Sequence, residues 1–270
     1  DMDGDGIELL SLEDSSAYFD LDEDGFAQYT GWVSGDDALL AYDANGNGVI
    51  DDNSELFGSA TEDGFAQLVA FDSNDNGFIT AADANWGELL IWQDANENGI
   101  TNAGELQTLG QAGISSITVN NSDVEDYELE GHTITHANTF QFSNGSAGEI
   151  VDAWFENDPT YSRYVFDEDF TYDIDVFDLP NIHGYGTAPD LWVSMTNDSA
   201  LLADMQALAN QSYTNFVFTD FLDYVEEIVF KWLGVEGVDP SSRGQYVDAR
   251  ELEALETLMA QEYAGSGGSQ

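Results

Sequence analysis

Calcium is a hard cation that takes roughly six to eight oxygen ligands. A chain offers them in order when Asp or Asn recur at loop positions 1, 3 and 5, Gly turns the backbone at 6, position 7 gives its carbonyl and an acid at 12 closes the cage. The phrase starting at Asp94 meets every requirement, with Asp94, Asn96 and Asn98, then Gly99, the carbonyl of Ile100, and Glu105 at position 12. A second, at Asp72, supplies Asp72, Asn74 and Asn76, then Gly77, the carbonyl of Phe78, and Asp83 as a shorter closing carboxylate. At Asp43 the ligands Asp43, Asn45, Asn47 and the Val49 carbonyl are in register, but Ser54 stands at position 12 and Glu55 arrives one residue late, with Asp51 or Asp52 as substitutes. Two further copies, Asp20-Asp22-Asp24 and Asp1-Asp3-Asp5, lack an acid at position 12 and must be closed by Glu8, Asp36, Asp37 or another loop.

Asp, Asn and Gly also favour turns without any metal, so one isolated copy would carry little weight. Five copies within residues 1 to 106, two with the closing acid in place, point to Ca2+ as the bound cofactor. Asn in place of Asp lowers the ligand charge and hence the affinity, toward modules working at roughly 0.1 to 1 mM calcium outside the cell. Five ions would move the formal charge from -50 only to about -40, so the remaining charge suits a solvated surface in a saline medium.

The elements around these loops follow from the apolar residues between them. Phe26, Trp32, Leu39, Leu40, Leu56, Phe57, Leu68, Phe71 and Leu89 to Trp92 suit short helices or strands bracketing each loop. From Ile114 to Phe177 apolar and polar residues alternate, and Asn144-Gly145 between two such runs predicts a hairpin. Beyond Leu179-Pro180 the spacing of Leu201, Leu202, Met205, Leu208, and of Phe221, Leu222, Val225, Ile228, Val229, Trp232, is helical; Asp248 caps a third helix. The expected fold is therefore α+β: an EF-hand-like calcium-binding lobe over 1–113, a small antiparallel β-sheet over 114–178, a C-terminal helical segment over 179–264 and a flexible tail over 265–270.

Charge excludes several classes of partner. With 54 Asp and Glu against four Lys and Arg, the first of them Arg163, the chain has no means of displacing counterions from nucleic acid or anionic lipid. No apolar run is long enough for a membrane helix, and the opening Asp1-Met2-Asp3-Gly4-Asp5 has no Sec-signal pattern. A hydrophobic fraction of 42% still permits a sizeable core, and the absence of cysteine means that something other than disulfides must staple it.

Catalytic constellations are sparse. His132 and His136 stand four apart in strand-like sequence, and a zinc site there needs a third ligand that spacing does not supply. His183 reads as a loop residue, and Arg163, Lys231, Arg243 and Arg250 read as members of internal ion pairs. No residue is assigned a catalytic role.

The strings Asp3-Gly4-Asp5-Gly6-Ile7-Glu8, Thr30-Gly31-Trp32-Val33, Asp36-Asp37-Ala38-Leu39-Leu40, Asn45 through Asp51, and Glu55-Leu56-Phe57-Gly58 together resemble the calcium-dependent self-processing module of RTX-type (hemolysin-type calcium-binding) exported proteins. Leu179-Pro180-Asn181, Gly184-Tyr185-Gly186 and Asp248-Ala249-Arg250 are similar to the segment that follows this module in large RTX surface proteins and adhesins. The resemblance implies calcium-induced folding, type I secretion to the cell surface or medium, and in some members cleavage of an Asp-Pro bond just before the first Asp-rich phrase. That position would lie upstream of Asp1; Asp158-Pro159 and Asp239-Pro240 do not occupy it. The expected function is a non-enzymatic extracellular module, structural or adhesive. Its expected partners are calcium ions, other modules of the same chain, cell-surface partners, or further copies in an oligomer or filament; the alternative is a calcium-triggered self-processing module.

Overall fold

The computed structural model describes residues 1–59, 61–120, 123–167, 169–210 and 218–263, so the tail expected over 265–270 lies outside it. The chain divides into two compact units, Asp1–Asp158 and Pro159–Gln270.

The first unit is built from short antiparallel strands. Its largest sheet centres on the eleven-residue strand His132–Phe142, which pairs with Asp123–Leu129, Ala147–Trp154 and Ile114–Thr118. Ile114–Thr118 then pairs with Phe78–Thr80 from the loop-bearing half, so 1–113 and the strands that follow share one sheet. The turn between His132–Phe142 and Ala147–Trp154 holds Asn144-Gly145, with Gly145 at a φ of 90° and its N–H donated to the Phe142 carbonyl. A three-stranded sheet pairs Leu39–Tyr42 with Leu89–Trp92, and Leu89–Trp92 with Leu106–Thr108.

Two apolar clusters fill this unit. One joins Phe65, Leu68, Ile79, Ile91, Ile117 and Phe140; the other joins Phe19, Trp32, Ile50, Leu56 and Trp92. The rings of Trp32 and Trp92 meet edge to face at 5.5 Å and both touch Phe19, all three essentially inaccessible. Burying each such side chain contributes on the order of 2–3 kcal/mol.

The expected EF-hand-like lobe is not formed. An EF-hand brackets its loop with two helices, but here the loop from Asp94 runs out of strand Leu89–Trp92 into strand Leu106–Thr108, and the two pair directly, Trp92 opposite Leu106. The loop from Asp20 likewise sits between Tyr18–Phe19 and Phe26–Thr30, a paired hairpin. Among the described residues the first unit has a single α-helix, the five-residue Gly64–Leu68 before the loop at Asp72. The physical reason lies in the flanks: β-branched Ile91 and aromatic Trp92 suit a half-buried strand, and antiparallel partners at both edges of Leu89–Trp92 satisfy its backbone groups. The fold is β-rich in this unit, with helices concentrated in the other.

The second unit carries helices Leu191–Asn197, Ser199–Ala209, Phe218–Trp232 and Ala249–Met259. Asp198 and Asp248 cap two of them through the N–H groups of Ala200 and Arg250. Val176, Leu191, Met195, Leu201 and Ile228 form one core cluster, and Phe230, Leu233 and Ala254 another. Ion pairs here join Lys231 with Asp204, Arg243 with Glu256, and Arg250 with Asp248 and Glu227.

Candidate metal centre

The loop from Asp94 is the most deeply set of the five. Asp94 is fully buried, and its two carboxylate oxygens are used differently. Oδ2 accepts the Gly99 N–H at 2.8 Å and the Trp32 Nε1–H at 2.8 Å, whereas Oδ1 is buried with no hydrogen-bond partner among the described residues. That division leaves one oxygen to coordinate a cation while the other is held by the loop backbone and Trp32. Gly99 has a φ of 72°, and a Cβ there would stand 2.5 Å from the Tyr18 carbonyl oxygen, so both turn and packing demand glycine. Asn98 Oδ1 accepts the Ile100 N–H, and the amides of Asn96 and Asn98 both reach Asn102 Oδ1. Glu105 is buried and accepts the Asn102 N–H at 2.7 Å, so the closing acid faces the loop it follows.

The loop from Asp72 is likewise tied from its first residue to its turn glycine, but there both carboxylate oxygens accept backbone N–H groups. Asp72 accepts the N–H groups of Asn76 at 3.1 Å and Gly77 at 2.6 Å, and Asn74 donates to Asp83 Oδ1 at 2.7 Å, bringing positions 1, 3 and 12 together. The Thr80 N–H, with help from Ser73, holds the Asp83 carboxyl below the ordinary range. The side chains of Phe78 and Ile100, both at position 7, are exposed, as befits residues that would contribute only a carbonyl.

At the loop from Asp43 the late acid turns inward. Glu55 is fully buried; its Oε1 accepts the N–H groups of Ala44 and Asn45 and its Oε2 that of Asp51, with burial raising its pKa. Asp43 accepts from Gly46 and Gly48, Asn45 Oδ1 from the Asn47 N–H, and Asn47 Oδ1 from the Val49 N–H. Ser54 takes no part in the loop, its N–H going to Asp52.

The two acid-rich loops are closed from elsewhere. Asp20, Asp22 and Asp24 place carboxylate oxygens within 4.8 Å of one another. Burial, then repulsion from Asp22 and Asp20, pushes Asp24 up to about 6. None of Glu8, Asp36 or Asp37 closes this loop. Its companion is Gln28, buried on the following strand, whose amide donates to Asp22 and whose Oε1 accepts the Leu21 N–H. Sequence reasoning passed over Gln28; its position, ninth from Asp20, was the available signal. Asp1 and Asp3 come within 4.8 Å of Asp37, whose oxygens accept the N–H groups of Met2 and Glu8. Asp5 stays at the exposed rim, its carboxyl raised by a hydrogen bond to Asp3 and by Asp3's charge.

Electrostatics sets the common requirement. Thirty-four acidic residues precede Pro159, and no Lys or Arg occurs before Arg163. Asp20, Asp37, Glu55, Asp72, Asp83, Asp94, Glu105 and Asp152 are nonetheless buried. A buried carboxylate is costly unless a cation or several donors compensate it, and this unit has no Lys or Arg of its own to serve.

Comparison with known proteins adds ancestry. A sequence model of the SPM domain matches residues 1–156. The iron-regulated protein FrpA of Neisseria meningitidis serogroup C is 37% identical over 173 residues, which cover 61% of this chain and 16% of FrpA. The shared stretch is thus one part of a much longer relative. With more than half of its length matched, over the stretch that holds all five Asp/Asn loops, the chain belongs to the SPM domain family.

Proposed function

We propose that the chain is a calcium-binding module that completes its fold on taking up calcium outside the cell and serves as a structural or adhesive part of a large RTX-type surface protein exported by a type I route. The observation that carries this reading is the Asp94 carboxylate: fully buried, one oxygen fixed by Gly99 and Trp32, the other without a partner among the described residues, in a unit with no Lys or Arg. A divalent ion there would compensate charge that nothing else near the loop offsets, and its binding free energy would become folding free energy. Similarity to a stretch of FrpA supports the view of one part in a long chain, with neighbouring modules, cell-surface molecules or further copies as partners. Calorimetric calcium titration of chelator-treated protein, with near-UV circular dichroism of its six Trp and twelve Tyr, tests it. Uptake of two or more ions with gain of tertiary signal is expected; full tertiary signal in chelator and no uptake at millimolar calcium would sink it.

The resemblance of residues 1 to 58 favours a second reading, in which calcium-driven ordering triggers cleavage of an Asp-Pro bond upstream of Asp1 through its own aspartate carboxylate. A longer chain carrying the preceding residues separates the two, because only the second yields calcium-triggered fragments on a denaturing gel.

A further inference from the structure

The fold parts His132 from His136. His132 is fully buried, its Nδ1 accepting the Glu156 N–H at 3.0 Å, which leaves Nε2–H to donate to the Leu10 carbonyl at 2.8 Å. Both ring nitrogens are spent. His136 instead faces two carboxylates from distant parts of the first unit: its Nδ1 is 3.7 Å from Asp152 Oδ2 and 4.0 Å from Asp63 Oδ1, and the three groups offer ligand atoms within 4.8 Å of one another.

These separations have a chemical meaning. They exceed the roughly 3.2 Å limit of an N–H···O bond, so the carboxylates are not simply hydrogen-bonded to the imidazole. They lie near the edge of about 3.4 Å expected between ligand atoms set tetrahedrally about 2.1 Å from a central ion.

The backbone supports the arrangement. The register between His132–Phe142 and Ala147–Trp154 shifts between Ile134 and His136, which leaves Thr135 as the bulged residue and His136 opposite Asp152. A bulge re-aims side chains that would otherwise alternate between faces. Here it lets the Thr135 hydroxyl donate to Asp152 Oδ2 at 2.9 Å while His136 Nδ1 faces the same oxygen. The Gly64 N–H reaches the other oxygen of Asp152 at 3.3 Å, and Asp63 Oδ1 caps the helix Gly64–Leu68 through the Ala66 N–H at 2.8 Å. Each carboxylate therefore has an outer partner that fixes its orientation, the support metal ligands ordinarily receive. Asp152 is buried, while His136 and Asp63 keep 21% and 29% of their side-chain surface open, enough for an ion to enter.

We propose that Asp63, His136 and Asp152 form a divalent transition-metal site of the zinc type, separate from the Asp/Asn loops. Calcium prefers an all-oxygen shell, whereas one imidazole nitrogen with two carboxylates and room for water suits zinc and its neighbours. The metal-free alternative is an Nδ1–H bond from His136 to Thr135 Oγ1, which stands 3.0 Å away.

The test is a zinc titration of the calcium-saturated chain against a competing chelating dye, repeated with Co2+ to read the visible bands of an N/O-coordinated ion. One zinc per chain is expected, retained in millimolar calcium. His136→Ala and Asp152→Asn should each weaken it at least about tenfold, the loss that even an outer partner of a metal ligand can cause. Calcium stoichiometry should stay unchanged, and His183→Ala should have no effect. Should His136→Ala lose its near-UV signal, Asp63→Asn, which keeps the capping oxygen, and the Co2+ spectrum of the unmutated chain decide instead. No zinc uptake, displacement by calcium, or equal uptake in the variants would overturn the site.

Discussion

Thr101 and Ile50 exchange two hydrogen bonds, the Ile50 N–H to Thr101 Oγ1 at 2.9 Å and the Thr101 hydroxyl to the Ile50 carbonyl at 3.0 Å. Each is the eighth residue of its loop, so the loops from Asp43 and Asp94 are joined at equivalent points. Ordering one by an ion lowers the cost of ordering the other, which is positive coupling. Thr101→Val should make calcium uptake at these two loops less cooperative while leaving both able to bind. A calorimetric isotherm that keeps its shape in Thr101→Val would refute the link.

Asp94 ties its loop to the aromatic core through Trp32. Asp94→Ala would remove a proposed calcium ligand and leave the buried Trp32 N–H without its acceptor, a cost of about 1–3 kcal/mol. At calcium tenfold above Kd the lost ion removes about 1.4 kcal/mol more. We expect one ion fewer by calorimetry and a stability loss of about 2–4 kcal/mol in urea unfolding followed by Trp fluorescence. Unchanged stoichiometry in Asp94→Ala would count against the loop as a calcium site.

Glu55, not the residue at position 12, faces the loop from Asp43. Glu55→Ala should therefore abolish calcium uptake there and destabilise the first unit, because the Ala44, Asn45 and Asp51 N–H groups lose their acceptor. Ser54→Ala should behave as the parent. Equal calcium titrations for the two variants would contradict the assignment.

If the loops hold calcium as proposed, protons should compete with it unequally among them. Asp24 stands at about 6 when folded against 3.8 for an ordinary aspartate, so its protonation favours the calcium-free fold fully below about pH 3.8, a contribution lost as pH rises through about 6. Calcium uptake at this loop should weaken by up to about tenfold per pH unit below pH 6 and release a proton. Asp83, held low by Thr80, keeps its charge, so the loop from Asp72 should retain its ion at pH 5. Titrations at pH 7 and 5 in buffers of different ionisation enthalpy read both effects; identical ion counts and no proton release would disprove the ordering.

Chelation should act on one unit more than the other. The first unit buries eight carboxylates without a Lys or Arg of its own, whereas the second has its own apolar clusters and pairs Lys231, Arg243 and Arg250 internally. Hydrogen exchange in chelator should show protection lost across strands 89–92 and 132–142 and kept in helices 191–197 and 199–209. Uniform loss, or none, would argue against calcium as the specific staple of the first unit.

The internal order of the loops was legible in the sequence because its determinants are local. Asp94 meets Gly99, and Asp72 meets Gly77, five residues away in the chain, and glycine alone fits the turn. The hairpin at Asn144-Gly145 and the helical spacing after Leu179 are equally short-range signals. The flanks were not legible. Whether Leu89–Trp92 becomes a strand or a helix depends on Leu39–Tyr42 and Leu106–Thr108 being present at its two edges, and an apolar tetrapeptide specifies neither. The approach of Asp37 to the first loop, the burial of Asp94 against Trp32, and the meeting of His136 with Asp63 and Asp152 are decided by tertiary structure alone. Spacing can bring together only groups within one turn or loop; contacts across 35, 62 or 88 residues exist because sheet pairing and a shared apolar core close those separations at once.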